Sequence, residues 1–305
     1  MKILISGISG FVGEYLANQI SGKNPQAEIF GIERNIKPFT LFPELNTKIK
    51  VLNCDITDSE NVDQTISKIS PDQFYHLAGF SSANTNDKNL VYKINVDGTE
   101  NILKALAKLN KSVSVLLIST SYVYGNTSGE AEENDAVAPH GIYAESKAEM
   151  EKLAEKYQNT LKIMIARPVN HTGPGQKRGF VIPDFASQII SMKKGEEILV
   201  GNLVAERDFL DVRDVVGAYT LIMEKGAGKE IYNISSGKCQ KIETVLDLLI
   251  KLSGKDIHVK IDPGKVRPVD IKKNCLNPAK IEKLGWHKTI ELEKTLSDVL
   301  KYWEK

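Results

Sequence analysis

The chain has 305 residues, 41% of them hydrophobic and 26% charged, an ordinary globular composition long enough for two lobes. Its 40 Lys and Arg against 39 Asp and Glu leave a formal net charge of +1. That balance gives no electrostatic footprint for nucleic acid or an acidic membrane surface, so any anion recognition has to be local. Met1-Lys2 leads straight into a strand-like run without a cleavable leader pattern, and no apolar stretch approaches bilayer-spanning length, so a cytoplasmic protein is expected. Cys54, Cys239 and Cys275 show no paired spacing and read as buried or incidental thiols in a reducing compartment, not as a disulfide framework or a zinc site.

In chain order, residues 2–6 (Lys-Ile-Leu-Ile-Ser) form a short apolar run that stops at glycine, the pattern of a buried parallel strand. A helix is predicted around 11–21 and a strand over 27–32. Further strand-like runs lie at 49–52, 73–77, 114–118 and 162–166, with helical patterns at 60–69, 95–109 and 143–158. This alternation predicts an α/β fold: a Rossmann-like doubly wound parallel sheet with helices on both faces. After Arg167-Pro168 the loops lengthen and Gly173-Pro174-Gly175 breaks the rhythm. The expected division is a Rossmann domain over 1–168 and a smaller α/β substrate lobe over 169–305. A later segment near 207–225, which contains a helical pattern at 214–224, is expected to pack back on the sheet.

Gly7-Ile8-Ser9-Gly10-Phe11-Val12-Gly13 follows the first strand and opens the first helix. Glycines there permit a tight turn and close approach of backbone to a phosphate, and the helix start offers free N–H groups and a positive dipole end. The spacing is G-x-x-G-x-x-G, and its place between strand and helix points to an NAD(P) pyrophosphate. At the end of the second strand Glu33 and Arg34 stand side by side. The acid suits the ribose hydroxyls of NAD and the guanidinium suits the 2′-phosphate of NADP, so the sequence leaves the dinucleotide open. Asp55-Ile56 fits the adenine flank, and Leu77-Ala78-Gly79 offers small residues along which the cofactor can lie. His76 reads as a packed histidine.

Tyr143 and Lys147 stand four residues apart at the start of a helix and share one face. A free phenol titrates near ~10, and an ammonium beside it is expected to lower that value and make proton exchange feasible. Y-x-x-x-K is common by chance. Its meaning comes from Ser119-Thr120-Ser121-Tyr122-Val123-Tyr124-Gly125, which sets hydroxyls at the carboxyl end of the 114–118 strand, where open α/β sheets bind ligands.

Together these segments resemble the extended short-chain dehydrogenase/reductases that act on nucleotide sugars, and the resemblance covers nearly the whole chain. It places the glycine motif on Gly7, Gly10 and Gly13, with Phe11 and Val12 beside it, the catalytic residues on Thr120, Tyr143 and Lys147, and a structural asparagine on Asn95. In the second lobe, Asn170 of Arg167-Pro-Val-Asn-His-Thr-Gly-Pro-Gly-Gln176 matches a diphosphate-contacting asparagine. Gly179-Phe180-Val181, Gly201-Asn202-Leu203 and Arg207-Asp208-Phe209 resemble the GDP-mannose branch. The resemblance implies substrate contacts from Ser121, Asn170, Gly179, Phe180, Val181, Asn202, Arg207 and Arg267, and a homodimer formed through the 95–109 and 143–158 helices. It implies reduction of the 4-keto group of a GDP-4-keto-6-deoxyhexose by NAD(P)H. A nucleotide-sugar 4-epimerase with bound NAD is the alternative, and a non-catalytic nucleotide-binding regulator fits least. The related 4,6-dehydratases carry a carboxylic acid two residues after the catalytic Thr. Tyr122 stands there, and a phenol is a far weaker acid, so dehydration is disfavoured.

Overall fold

The computed structural model describes residues 1–80, 87–265 and 271–305. Six strands, β1 (Lys2–Ser6), β2 (Glu28–Glu33), β3 (Lys50–Asn53), β4 (Gln73–His76), β5 (Ser114–Ile118) and β6 (Lys162–Pro168), form one parallel sheet. A seventh strand, Ile231–Ile234, for which the sequence reading had no assignment, pairs with the outer edge of β6. The order is β3-β2-β1-β4-β5-β6-(231–234), so the strand order reverses between β1 and β4, the place where such sheets open a ligand crevice. The chain is thus a Rossmann-like α/β fold.

Side-chain alternation along the strands distributes the two layers. Ile3 and Ile5 of β1 point to one side, where they join Leu16 and Ile20 of α1 (Phe11–Lys23) and Val215, Tyr219 and Ile222 of the helix Val212–Lys225. Leu4 points to the other, with Phe74, Val115 and Leu117, against Ile66 of Ser59–Ile69, Ile102 and Leu106 of Gly98–Ala107, and Met150 and Ala154 of Ile142–Glu155. A third cluster lies apart: Ile182, Phe185 and Ile189 pack with Val245, Leu249, Leu296 and Leu300 from the helices Val181–Ser191, Ile242–Ser253 and Leu292–Trp303.

Two expectations need correction. The helix over 95–109 begins as Lys88–Tyr92, widens into a π-helical turn over Lys93–Asp97 and continues as Gly98–Ala107. The wide turn surrounds Asn95, whose Oδ1 accepts from Phe80 N at 2.7 Å and whose Nδ2 donates to Ser146 Oγ at 2.9 Å. These tertiary bonds draw the chain off an ideal helix, as π-turns at anchored positions do. The second correction concerns the cysteines. Cys239 and Cys275 form a disulfide, with Cα atoms 5.9 Å apart, and Cys54 remains a buried thiol. Strands Gln240–Lys241 and Lys273–Asn274 flank Glu206–Arg207 in a small sheet, and that pairing brings together two cysteines 36 residues apart. No helix among the described residues is long and apolar enough to cross a membrane.

Candidate active site

The first wall of the site is backbone. Gly7 follows β1 with φ +71°, a left-handed conformation; a Cβ on it would stand 2.8 Å from Ala78 N, and one on Gly13 only 2.3 Å from Gly7 O. Nothing larger than glycine fits between the loop and the end of β4. Gly10 caps α1 without a side-chain bond, so the first-turn amides open on the cavity that Gly10, Phe11 and Val12 line. That cradle fits a dinucleotide pyrophosphate. Glu33, at the end of β2, is held by the loop itself, accepting from Ser9 N at 2.6 Å and Ser9 Oγ at 2.8 Å on one carboxylate oxygen. Arg34 and Lys37 lie exposed on the same rim. Asp55 accepts from Thr57 N and Oγ1, both at 2.9 Å, and lines the cavity with Ile56, Leu77, Ala78 and Gly79.

This cavity, about 1540 Å³, runs from the glycine loop across the carboxyl ends of the strands to the second lobe. In its middle stand Thr120, just past β5, and Tyr143 and Lys147 on one face of Ile142–Glu155. The Tyr143 phenol and the Thr120 hydroxyl are neighbours there. Lys147 donates to Ile118 O at 2.7 Å and lies beside Gly79, where a Cβ would be 3.5 Å from its Nζ. Burial pushes the Tyr143 phenol up to about 12, opposed by the neighbouring Thr120 hydroxyl and assisted by the neighbouring Tyr122. Burial also pulls the Lys147 ammonium down to about 8, against the opposing charge of Glu151. The expected lowering of the phenol by the lysine is therefore not found in the protein alone. Lys147 Nζ is turned to the Ile118 carbonyl, and desolvation dominates at Tyr143.

Beneath this group lies a buried network whose key member, Glu151, the sequence reading missed. Glu151 sits one turn beyond Lys147. It accepts from Ser119 Oγ and from Arg167 Nε (3.0 Å) and Nη2 (2.6 Å), while Arg167 Nη1 donates to Tyr124 Oη at 2.6 Å. The i, i+4 spacing from Lys147 was the available signal; its partner on β6 was not. His76 is packed as expected: Nδ1 meets Ser6 Oγ at 2.8 Å and Nε2 meets Thr99 Oγ1 at 2.9 Å. Burial, with Lys147 nearby, drives it down to about 3, so it is neutral at physiological pH.

On the far wall, Asn170, Gly179, Phe180, Val181, Asn202 and Arg207 all line the cavity. Tyr122 Oη donates to Asn170 Oδ1 at 3.1 Å, and the Arg207 guanidinium carbon lies 6.0 Å from the Tyr122 ring centroid. Ser121 departs from expectation. The short 3₁₀ turn Ser121–Tyr124 rotates it away from the cavity, its side chain is fully buried, and its carbonyl accepts from Asn274 Nδ2 at 3.1 Å. Arg267 lies outside the described residues. Thr172, Gln176 and Tyr219 also line the cavity, each with a buried side-chain oxygen that has no partner among the described residues. The first two stand in the segment quoted for Asn170, whereas nothing in the sequence singled out Tyr219.

Residues 4–299 match the family model for GDP-mannose 4,6 dehydratase. The chain is 30% identical to the GDP-6-deoxy-D-mannose reductase of Pseudomonas aeruginosa, over 99% of this chain and 97% of that protein. It is also 30% identical to the GDP-6-deoxy-D-talose 4-dehydrogenase of Aggregatibacter actinomycetemcomitans, over 92% and 90%. The structure of RMD from P. aeruginosa complexed with NADPH superposes with a TM-score of 0.85 at 28% identity, covering 99% and 98% of the two chains. The glycine cradle at the switch of strand order, the Thr120/Tyr143/Lys147 group and these full-length likenesses place the chain in the GDP-mannose 4,6 dehydratase family of extended short-chain dehydrogenase/reductases, as an oxidoreductase of the nucleotide-sugar type.

Proposed function

We propose that the protein reduces the 4-keto group of a GDP-4-keto-6-deoxyhexose with NAD(P)H, giving a GDP-6-deoxyhexose such as GDP-D-rhamnose. The observation that carries this reading is that Thr120, Tyr143 and Lys147 line the middle of one cavity that also holds the glycine loop at one end and Asn170 and Arg207 at the other. Gly7, Gly10, Phe11, Val12 and Gly13 hold the dinucleotide pyrophosphate, and Glu33 or Arg34 meets its adenosine ribose. When bound, the dinucleotide supplies the hydride that adds to sugar C4. Tyr143 gives its proton to the oxygen at C4 as that carbon is reduced. A phenol pushed up to about 12 enters the reaction protonated, the state a proton donor needs. Thr120 steadies the oxygen as charge develops, and Lys147 supplies a positive charge on the same cavity wall as Tyr143. Asn170 and Arg207 grip the diphosphate and fix the sugar from a distance.

A second reading, a 4-epimerase that keeps NAD⁺, draws support from Glu33. A carboxylate fixed on Ser9 suits a ribose without a 2′-phosphate. The likeness to the family also supports a homodimer through the helices around 95–109 and 143–158. In the test, purified protein given GDP-4-keto-6-deoxymannose oxidises NADH or NADPH stoichiometrically. Tyr143→Phe lowers kcat by roughly 10²–10⁴-fold, the scale of lost general acid catalysis. A wild-type protein that interconverts sugars without net dinucleotide consumption establishes the epimerase instead. An unimpaired Tyr143→Phe variant removes the mechanism.

A further inference from the structure

Three residues from distant parts of the chain meet on the substrate side of the cavity. Tyr122 follows β5. Asn170 opens the short strand Asn170–Thr172, which pairs in parallel with Phe209–Asp211 so that Asn170 faces Phe209 in register. Arg207 stands two residues before that partner. The turn that carries Tyr122 is pinned on both sides: Tyr122 N donates to Thr120 Oγ1 at 3.3 Å, and Asn274 Nδ2 donates to the carbonyls of Ser121 and Gly125, each at 3.1 Å. The backbone from which the phenol projects is therefore fixed.

A side-chain amide has an acceptor on one end and two donors on the other. Only the donor end attracts an anion. Because Tyr122 Oη donates to Asn170 Oδ1, the acceptor end is occupied and the Nδ2 donors are on the opposite side of the amide. The ring of the same tyrosine backs the Arg207 guanidinium at 6.0 Å, a cation–π contact, while Arg207 Nη1 donates to Glu206 O at 2.9 Å. A carboxylate at position 122, as the related dehydratases carry, would place a negative charge between these two groups. The phenol orders them without adding that charge.

We propose that Tyr122 is a positioning residue for the diphosphate end of the substrate, its hydroxyl fixing the Asn170 amide with the N–H groups available to the anion and its ring backing Arg207. This rests on the reading that Asn170 and Arg207 grip a diphosphate, and the experiment separates the two. GDP itself is the probe, titrated calorimetrically into the full-length protein saturated with dinucleotide, for wild type, Tyr122→Phe, Asn170→Ala and the double variant. Tyr122→Phe keeps the ring and loses the hydroxyl. It weakens GDP roughly fivefold, the scale of one neutral hydrogen bond, while dinucleotide affinity, which also reports folding, does not change. Asn170→Ala weakens GDP about tenfold or more, and adding Tyr122→Phe to it causes no further loss, because the hydroxyl acts only through the amide. Tyr122→Leu, which removes the ring as well, weakens GDP beyond Tyr122→Phe. If Asn170→Ala binds GDP like wild type, the diphosphate reading fails. If Asn170→Ala weakens GDP but Tyr122→Phe does not, or if the two losses add in the double variant, the positioning role is overturned.

Discussion

The two walls of the cavity are made in different ways. On the dinucleotide side a single contiguous segment, Gly7 to Gly13, does most of the shaping, and it does so with backbone: glycines that admit no Cβ and a helix start with no side-chain cap. On the facing wall, where we propose the substrate binds, the surface is assembled from side chains of residues 122, 170 and 207, brought together by a short turn and a two-stranded pairing. Backbone recognition of a phosphate tolerates little change at few positions. Side-chain recognition spreads over many positions and can be retuned one residue at a time, which fits a family whose members named above act on different sugars.

The largest expected effect lies in neither wall but in the buried network beneath the Thr120, Tyr143 and Lys147 group, which both walls flank. Glu151 links the catalytic helix to β6 through Arg167, and both side chains are more than nine-tenths buried. Glu151→Gln leaves the guanidinium without its charge partner and should cost about 3–5 kcal/mol of stability, read as a lower Tm. It should also shift a pH profile. In the proposed mechanism Lys147 acts as an ammonium, and burial brings it down to about 8, so kcat should fall as pH rises through that value; with the opposing charge of Glu151 gone, the fall should begin at lower pH. A variant with unchanged Tm and an unmoved alkaline limb would mean that Glu151 neither holds Arg167 nor supports the Lys147 ammonium. Next in size is Gly13→Ala, whose new Cβ would lie 2.3 Å from Gly7 O. Dinucleotide affinity should fall by about 100-fold or more as the loop is displaced, with far less effect on GDP affinity. Equal losses for both ligands would erase the distinction between the walls. The smallest expected effect is at Glu33. Glu33→Gln removes the charge that a 2′-phosphate would meet and should raise the NADPH to NADH ratio of kcat/KM roughly tenfold, about the size of one partly screened charge pair. A ratio unmoved by the change assigns the choice of dinucleotide to Arg34 and Lys37.

Much of the dinucleotide wall was legible in the sequence because its signals are local. The alternating apolar strands gave the sheet, and Gly7, Gly10 and Gly13 are informative by type and spacing alone. Tyr143 and Lys147 are four residues apart, so the helical period placed them on one face without reference to the rest of the fold. The boundaries that slipped were those set by long-range bonds, such as the wide turn at Asn95 held by Phe80 and Ser146.

Composition, periodicity and spacing thus determined the sheet, the glycine turn and the pairing of phenol with ammonium, since each depends on neighbours within a turn or a strand. Only the tertiary structure decided that Ser121 turns inward while Tyr122 reaches Asn170, that Glu151 meets Arg167, and that Cys239 joins Cys275. It also decided the direction in which the titrations of Tyr143 and Lys147 are shifted, because desolvation depends on what the whole fold packs around a group, and no stretch of sequence carries that information.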